Sequence, residues 1–462
     1  MVSLSKVLSG SLAIGGTNMF QDLATPEQAA TDQYEKLRYL GGAGPYVQFP
    51  GIGASTDIPD QCFPENVQLF MRHGERFPTS GVGKSFKALL KKFSKFKGKY
   101  TGELSFLNNY KYFVTEKSDY GLESTPATGS AIFAGTTDAE KAGNVLRSKY
   151  RSLYNLNETL PLFIAGNDRV FQTSQAFARG FLGDDYTPAK VKNVILDEGT
   201  SLGANSLTPD SGCSDFAFSS STPVSKKYDT LYLDAAKNRL LKGNSFLNLT
   251  SDDVNNMFKW CAYELNVRGY SPFCDLFTNE EFIRYEYLVD LADYYLYGPG
   301  NNKSETMFGP LYEASLKLLK DPSAKQKIWL SFTHDTELLM FHSILGLIKP
   351  REPLTPDYIP FPNIYTATNL VPEGARVVLE KYKCLNESFV RYIVNDAVIP
   401  IKMCADGPGF SCSLSNFEKI ANYRLKGLNY NKDCKNPSNT TDTVSFFWDY
   451  NKRVYNGSLT GF

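Results

Sequence analysis

The stretch Arg72-His73-Gly74-Glu75-Arg76-Phe77-Pro78 decides which fold and which chemistry this chain should have. It follows the apolar run 67–71, which predicts a buried strand, and its glycine and proline break the chain just past that strand. His73 should therefore lie in a loop at the carboxyl end of a strand, where α/β sheets build their ligand sites. Arg72 and Arg76 offer forked donors that match a phosphate or a carboxylate. An imidazole beside a phosphate held by arginines favours phosphoryl transfer to nitrogen.

Two further strand ends carry side chains of the same kinds. The run 328–333 predicts a strand, and His334 and Asp335 follow it at the start of a helix-like segment. A carboxylic acid in that position can protonate a leaving alkoxide. The run 162–166 predicts a third strand, and Arg169 follows the turn after it. Each segment alone could be a surface cluster or a helix cap, but three such strand ends indicate one shared pocket.

With these segments the chain resembles the histidine acid phosphatases, the branch of the histidine phosphatase superfamily that includes phytases. The family pattern Arg-His-Gly-x-Arg-x-Pro matches residues 72–78, the later His-Asp pair matches His334 and Asp335, and the middle arginine matches Arg169. The segments 40–46 and 407–412 are similar to the secreted acid phosphatases and phytases of yeasts. The resemblance covers roughly residues 35 to 462.

The resemblance implies a role for each matched residue. His73 would be the nucleophile that forms a phosphohistidine, and Asp335 would donate the proton to the leaving group. The phosphate oxygens would be held by Arg72, Arg76, Arg169 and His334. Because His73 must be unprotonated while Asp335 is protonated, we expect an acidic working range, with no metal and no other cofactor.

The expected fold is α/β, a mixed sheet flanked by helices as in the phosphoglycerate mutase-like histidine phosphatases, with a smaller helical cap domain. We expect an N-terminal arm at 1–35, a discontinuous catalytic domain of 36–185 and 320–462, and a mainly helical cap at 186–319. Alternating runs predict further strands at 376–380, 389–394 and 398–401. Helices are predicted over 170–181, 228–241 and 254–267, and from the capping box of Thr278 and Glu281 to Gly298. His342 is expected to be a buried helix residue.

The cysteines favour a disulfide-bonded, secreted protein. There are eight of them, an even number, without any Cys-x-x-Cys and without a histidine at ligand spacing, so a zinc site is not expected. The alternative is a cytosolic protein with eight free thiols. The residues alone leave many pairings open, whereas the resemblance implies the pairs Cys62–Cys384, Cys213–Cys434, Cys261–Cys274 and Cys404–Cys412.

Six Asn-x-Ser/Thr triplets support the same location, outside the cell or in the periplasmic space or cell wall. The segment 1–16 is too interrupted by serine and glycine to be a good signal-peptide core, and whether it is a signal remnant stays open. The polar segment 17–35 could form an arm that packs on another subunit, so a homo-oligomer is an open alternative. The triplets begin at Asn157, Asn248, Asn302, Asn386, Asn439 and Asn456.

The charge balance points to a small-molecule substrate. Lys plus Arg equals Asp plus Glu at 49 each, which indicates neither a nucleic acid nor a membrane as partner. No apolar run approaches the roughly 20 residues of a membrane span. Lysines crowd the segment after the motif, and we expect Lys84 and Lys87 to form a positive substrate rim unless they lie on a solvated helix face.

The function expected is that of a secreted acid phosphomonoesterase that hydrolyses phytate (myo-inositol hexakisphosphate) and other phosphate monoesters. One alternative is a broad-specificity acid phosphatase with little preference for phytate. A mutase-type phosphotransferase and a noncatalytic secreted glycoprotein with the same fold are further alternatives.

Overall fold

The computed structural model describes residues 36–129, 133–219, 221–322 and 324–460. The arm expected at 1–35, with its segment 1–16, lies outside the described residues. The described strands are β1 (Cys62–Arg72), β2 (Leu160–Ala165), β3 (Val191–Leu196), β4 (Ile328–Thr333), β5 (Arg376–Cys384), β6 (Glu387–Val394), β7 (Ala397–Ile399) and β8 (Cys412–Ser413). They form one mixed sheet in the order β3-β2-β4-β1-β5-β6-β7, with β8 paired to β6.

Helices lie around this sheet and connect its strands. The α-helices of the described residues are α1 (Ser80–Lys95), α2 (Gly135–Tyr150), α3 (Asp168–Leu182), α4 (Leu231–Leu241), α5 (Ser251–Arg268), α6 (Asn279–Leu296), α7 (Ser304–Lys320), α8 (Asp335–Leu345), α9 (Ala367–Leu370), α10 (Leu414–Leu425), α11 (Tyr430–Asp433) and α12 (Phe446–Asp449). Among the described helices, none is both long enough and apolar enough to cross a membrane.

The parallel half of the sheet places three of the predicted site segments together. Strands β3, β2, β4 and β1 run parallel to one another, so their carboxyl ends meet at one edge. Every residue of β2 and β4 is buried, because helices cover both faces of a parallel sheet. Strands β5, β6 and β7 continue the sheet antiparallel beyond β1.

The predicted α/β fold and mixed sheet are confirmed, and all three strands predicted before the site motifs are present. The range 186–319, predicted to be a mainly helical cap, begins with strand β3, which the sequence analysis did not predict. Val191, Val194 and Leu196 are buried, and β3 pairs in parallel with β2 at the edge of the sheet. A short run with β-branched residues is stabilised better as a strand beside β2 than as an isolated helical turn.

The capping box of Thr278 and Glu281 is confirmed, with each side chain bonded to the backbone of the other residue. It begins helix α6, which ends at Leu296, just before Gly298. His342 lies buried on helix α8, as expected. Burial lowers the pKa of its imidazole to about 4.

Residues from outside the range 186–319 pack against the predicted cap. Phe86 of helix α1 stacks on Trp260 of α5 at 4.6 Å between ring centroids, and Trp260 stacks on Phe273 at 4.7 Å. At the other end of the range, Phe308 of α7 stacks on Phe341 of α8 at 4.8 Å, next to the sheet. The division of the chain into two domains stays a prediction, but the packing indicates that α1 sits with the cap and α7 with the sheet.

All four disulfides implied by the resemblance are present, so the alternative of eight free thiols is wrong. The Cys62–Cys384 bridge joins two residues that are paired in register on β1 and β5. The Cys261–Cys274 bridge holds helix α5 to the turn after it. The six asparagines of the Asn-x-Ser/Thr triplets are all exposed.

Candidate active site

The edge formed by the parallel strands brings the predicted site residues together. His73 follows β1, His334 follows β4 and Arg169 lies just after β2. The His73 and His334 rings are 5.6 Å apart between centroids, and Arg169 Nη2 lies 3.2 Å from His334 Nδ1. Three segments that are far apart in sequence therefore face one another because their strands are neighbours and parallel.

The backbone of His73 is fixed from both sides. Its N–H donates to the carbonyl of Thr333 on β4 at 3.1 Å, and its carbonyl accepts from Gly374 at 2.8 Å. The following residue must be glycine, since a Cβ on Gly74 would lie 2.1 Å from a Glu123 carboxylate oxygen and 2.8 Å from the Gly135 carbonyl. The Gly74 N–H also donates to the Thr173 hydroxyl at 2.9 Å. This part of the motif is rigid, so the imidazole above it has little freedom.

The environment of His73 keeps its imidazole neutral. Burial lowers the pKa well below its usual value, and the charges of Arg169, Arg72 and Arg76 lower it further. The ring Nδ1 lies 3.0 Å from the Gly74 carbonyl oxygen, an acceptor that holds a proton on Nδ1. Nε2 is then the unprotonated nitrogen, and its lone pair is free of a proton.

Arg72 and Arg76 are each oriented by contacts with neighbouring protein groups. Arg72 Nη1 donates to the carbonyl of Val371 at 2.5 Å and also to that of Gly42, while its Nη2 lies 2.8 Å from Asp335 Oδ2. The guanidinium of Arg76 lies over the Tyr263 ring, 5.2 Å from its centroid. Both cations are thus positioned before any ligand arrives.

Asp335 sits in a strongly positive field. Burial raises its pKa, but the charges of Arg72, His334 and the other arginines outweigh burial, so that the pKa lies below its ordinary value. The side chain is more than one-third exposed, which gives a substrate access to it. A bound phosphate would place negative charge in this field and raise the pKa again.

Glu373 belongs to the site, although the sequence analysis did not identify it. Its fully buried carboxylate lies 3.1 Å from His73 Nδ1, 3.4 Å from Arg72 Nη2 and 3.6 Å from Arg76 Nε. Burial raises its pKa to about 7, although the nearby arginines lower it. Glu373 precedes β5, and because β5 runs antiparallel to β1, its amino end lies beside the carboxyl end of β1.

Glu198 is a second site residue that the sequence analysis missed. One carboxylate oxygen lies 2.5 Å from Nε2 of His334. Burial raises the pKa of Glu198, but His334 and Arg169 lower it more, so its pKa is below the ordinary value. Glu198 follows strand β3, so the strand-end rule that found His73 and His334 would have found it if β3 had been recognised.

Comparison with known proteins shows the family to which the chain belongs. The model of the histidine phosphatase superfamily (branch 2) matches residues 65–395. The chain belongs to this family. It is 50% identical to a phytase of Candida albicans over 460 residues, 99% of this chain and 100% of that protein. It is 39% identical to the constitutive acid phosphatase of Saccharomyces cerevisiae over 462 residues, 98% of each.

The crystal structure of the phytase from D. castellii superposes with a TM-score of 0.91 at 50% identity, covering 96% of both chains. The resemblance inferred from the motifs is therefore confirmed over the whole described fold. The chain is a histidine acid phosphatase.

A cavity of about 520 Å³ opens above the site of this histidine phosphatase. Arg72, Arg76 and Asp335 lie at its base, and helices α5 and α6 form its walls. The rim expected at Lys84 and Lys87 does not line it: both side chains are exposed on α1, and Lys87 lies over the Tyr120 ring at 4.8 Å. The lysines that do line the cavity are Lys226 and Lys259.

Proposed function

We propose that this histidine phosphatase hydrolyses phosphate monoesters at acidic pH through a phosphohistidine on His73, and that phytate is among its substrates. The observation that carries the proposal is the convergence of a buried, neutral imidazole with three guanidiniums and a second histidine on one sheet edge. Such a set of donors binds a phosphate and spreads the charge of the transition state.

The two chemical steps follow from these positions. In the first, Nε2 of His73 attacks phosphorus, the bond from phosphorus to the ester oxygen breaks, and Asp335 gives its proton to that oxygen. In the second, water attacks the phosphohistidine, Asp335 accepts a proton from the water, and the bond from phosphorus to nitrogen breaks. The residues that hold the phosphate oxygens through both steps are Arg72, Arg76, Arg169 and His334.

Acidic conditions suit this sequence of steps. Asp335 must carry a proton at the start, although the surrounding cations oppose this. His73 must be unprotonated, and its lowered pKa keeps the imidazole neutral even at acidic pH. The two requirements overlap on the acidic side of neutrality, where a bound phosphate helps Asp335 to keep its proton.

Phytate is favoured as substrate over simple esters by two observations. The two proteins reported above at 50% identity are named phytases, whereas the constitutive acid phosphatase of Saccharomyces cerevisiae is 39% identical. The cavity is also much larger than one phosphate group requires, and two lysines line it. A broad acid phosphatase remains the second candidate, because the same base of the cavity serves any phosphate monoester.

We further propose that the protein works outside the cell as a glycoprotein. Four disulfides and six exposed Asn-x-Ser/Thr asparagines support this location. The proposed partner is the small phosphate ester itself.

The test of the nucleophile is the His73→Ala variant. We expect no measurable phosphate release from phytate or p-nitrophenyl phosphate, with an unchanged far-UV circular dichroism spectrum. In the wild type, quenching into alkali during turnover should yield a peptide that carries one phosphate on His73. Substantial phosphate release by the variant, or a phosphorylated residue other than His73, would refute the proposal.

A further inference from the structure

Both ring nitrogens of His334 contact charged side chains of the protein. Nε2 lies 2.5 Å from a carboxylate oxygen of Glu198, and Nδ1 lies 3.2 Å from Nη2 of Arg169. An ionised carboxylate only accepts hydrogen bonds, and a guanidinium only donates them. The contacts therefore assign the proton of the neutral ring to Nε2, which donates to Glu198, while Nδ1 accepts from Arg169.

In this state His334 is a poor ligand for a phosphate. Nε2 is occupied by Glu198, and the lone pair on Nδ1 would repel a phosphate oxygen. His334 becomes a donor to phosphate only when Nδ1 takes up a second proton and the ring becomes a cation. That cation would lie beside Arg169, so it needs a negative partner to be stable.

Glu198 is suited to be that partner. Burial raises the pKa of Glu198, but His334 and Arg169 lower it more, so the side chain stays ionised in moderate acid. Burial raises the pKa of Asp210, so that group is neutral in acid, and Asp335 already lies 2.8 Å from Arg72. The charged and titratable groups that face His334, from the ends of the parallel strands and the segment after β3, are His73, Arg169, Glu198, Asp210 and Asp335.

Glu198 is held in place before any ligand binds. Asn167, a buried residue two positions before Arg169, donates from Nδ2 to the second carboxylate oxygen of Glu198 at 3.5 Å. The turn after β3 is also bonded to the C-terminal part of the chain, since the Ser458 N–H donates to the Asp197 side chain at 2.9 Å. One carboxylate oxygen of Glu198 thus faces His334, and the other faces the turn that carries Arg169.

We propose that Glu198 is a positioning residue that gives His334 its positive charge when a phosphate binds. Glu198 holds one proton on Nε2, and its negative charge lets Nδ1 take a second proton from the acidic medium. Nη2 of Arg169 then exchanges Nδ1 for a phosphate oxygen, and Nδ1 donates to another oxygen of the same phosphate. Glu198 itself does not touch the substrate. The inference rests on the proposed phosphatase function, in which His334 holds the phosphate.

The variant that tests this role is Glu198→Gln, with Asp197→Asn as its control. Glutamine keeps the shape of Glu198 and an oxygen that accepts from Nε2, but it removes the charge. Asp197 is the exposed neighbour of Glu198, and asparagine keeps the oxygen that accepts from Ser458, so Asp197→Asn removes one charge from the same turn. The readout is competitive inhibition of p-nitrophenyl phosphate hydrolysis by orthophosphate, measured as Ki over a range of acidic pH.

We expect the Ki of orthophosphate for Glu198→Gln, divided by that for the wild type, to rise with pH. The ratio should lie within about threefold of one at about pH 4 and be about tenfold higher at about pH 6. The reason is that the variant loses the second proton of His334 at a lower pH than the wild type does. The ratio cancels the titration of orthophosphate and of Asp335, which are common to both proteins. Asp197→Asn should give a ratio near one at every pH.

A second readout observes the ring directly and does not depend on turnover. The chain has three histidines, so a protein with isotope-labelled nitrogen in its histidine rings gives three sets of ring signals. Burial lowers the pKa of His73 and of His342, which keeps both rings neutral at about pH 6. The ring of His334, assigned from its loss in His334→Asn, should gain a proton on Nδ1 when orthophosphate is added at this pH. In Glu198→Gln it should stay neutral.

A ratio of Ki values that is the same at every pH would overturn the proposal, since Glu198 would then only support the local structure. A His334 ring that stays neutral in the wild type with orthophosphate bound would overturn it as well, whether or not the variant folds. A wild-type enzyme that releases no phosphate from p-nitrophenyl phosphate would instead overturn the proposed function, and the nitrogen signals would still decide the role of Glu198.

Discussion

Replacing Glu373 by glutamine tests whether burial, which raises the pKa of this carboxyl group, outweighs the nearby arginines, which lower it. The side chain is fully buried against His73, Arg72 and Arg76, and glutamine keeps its shape without a charge. Burial raises the pKa of Glu373 from 4.5 to about 7 despite the arginines. The folded protein therefore holds this proton more tightly than the unfolded chain does.

The sign and size of the effect on stability follow from that difference. Because the pKa is raised in the folded state, the stabilising contribution is complete below pH 4.5 and is lost as the pH rises to about 7. Each pH unit corresponds to about 1.4 kcal/mol, so the free energy of unfolding should fall by about 3 kcal/mol through this one group. Glutamine does not titrate, so the Glu373→Gln variant should lack this loss.

The assay is guanidinium chloride unfolding of both proteins at a series of pH values, followed by tryptophan fluorescence. The free energy of unfolding of the variant, relative to the wild type, should increase by about 3 kcal/mol between pH 4.5 and about pH 8. Glu387→Gln, an exposed position on β6, is the control and should show no such trend. A relative stability of the variant that falls with rising pH would show that Glu373 is ionised when folded, and that the arginines outweigh burial.

Glu373 is not alone in favouring an acidic environment. Burial also raises the pKa of Asp210 and Glu337, which lie together, and of the neighbouring pair Glu286 and Asp290. Because the pKa of each of these groups is raised in the folded state, each group also lowers the free energy of unfolding as the pH rises. The fold and the proposed chemistry are thus suited to the same range of pH.

Three further predictions concern catalysis. Asp335→Asn should slow phosphate release from an alkyl phosphate by about 100-fold or more and from p-nitrophenyl phosphate much less, since a good leaving group needs no proton; equal slowing would argue against the acid role. Arg169→Gln should move the acidic limb of the kcat/KM profile for p-nitrophenyl phosphate to higher pH, because Arg169 lowers the pKa of His73; an unmoved limb would contradict this. Full activity should remain after dialysis against a chelator, and loss that is restored by a divalent metal would refute the metal-free chemistry.

The sequence by itself determined the chemistry at three strand ends. His73, His334 and Arg169 could be assigned to one pocket because each follows a short apolar run, and parallel strands place their carboxyl ends at one edge. These are local signals, which depend on residues within one or two turns of the chain. The disulfide pairs came from the resemblance and not from spacing.

Only the tertiary structure brought in the residues whose neighbours come from other elements. Glu373 contacts His73 because β5 runs antiparallel beside β1, and Glu198 contacts His334 because β3 occupies the far edge of the parallel strands. The expected substrate rim shows the same limit: the lysines near the motif in sequence do not line the cavity, whereas Lys259 lines it from helix α5. Strand order and helix orientation are set by long-range packing, so the chain's local patterns do not contain them.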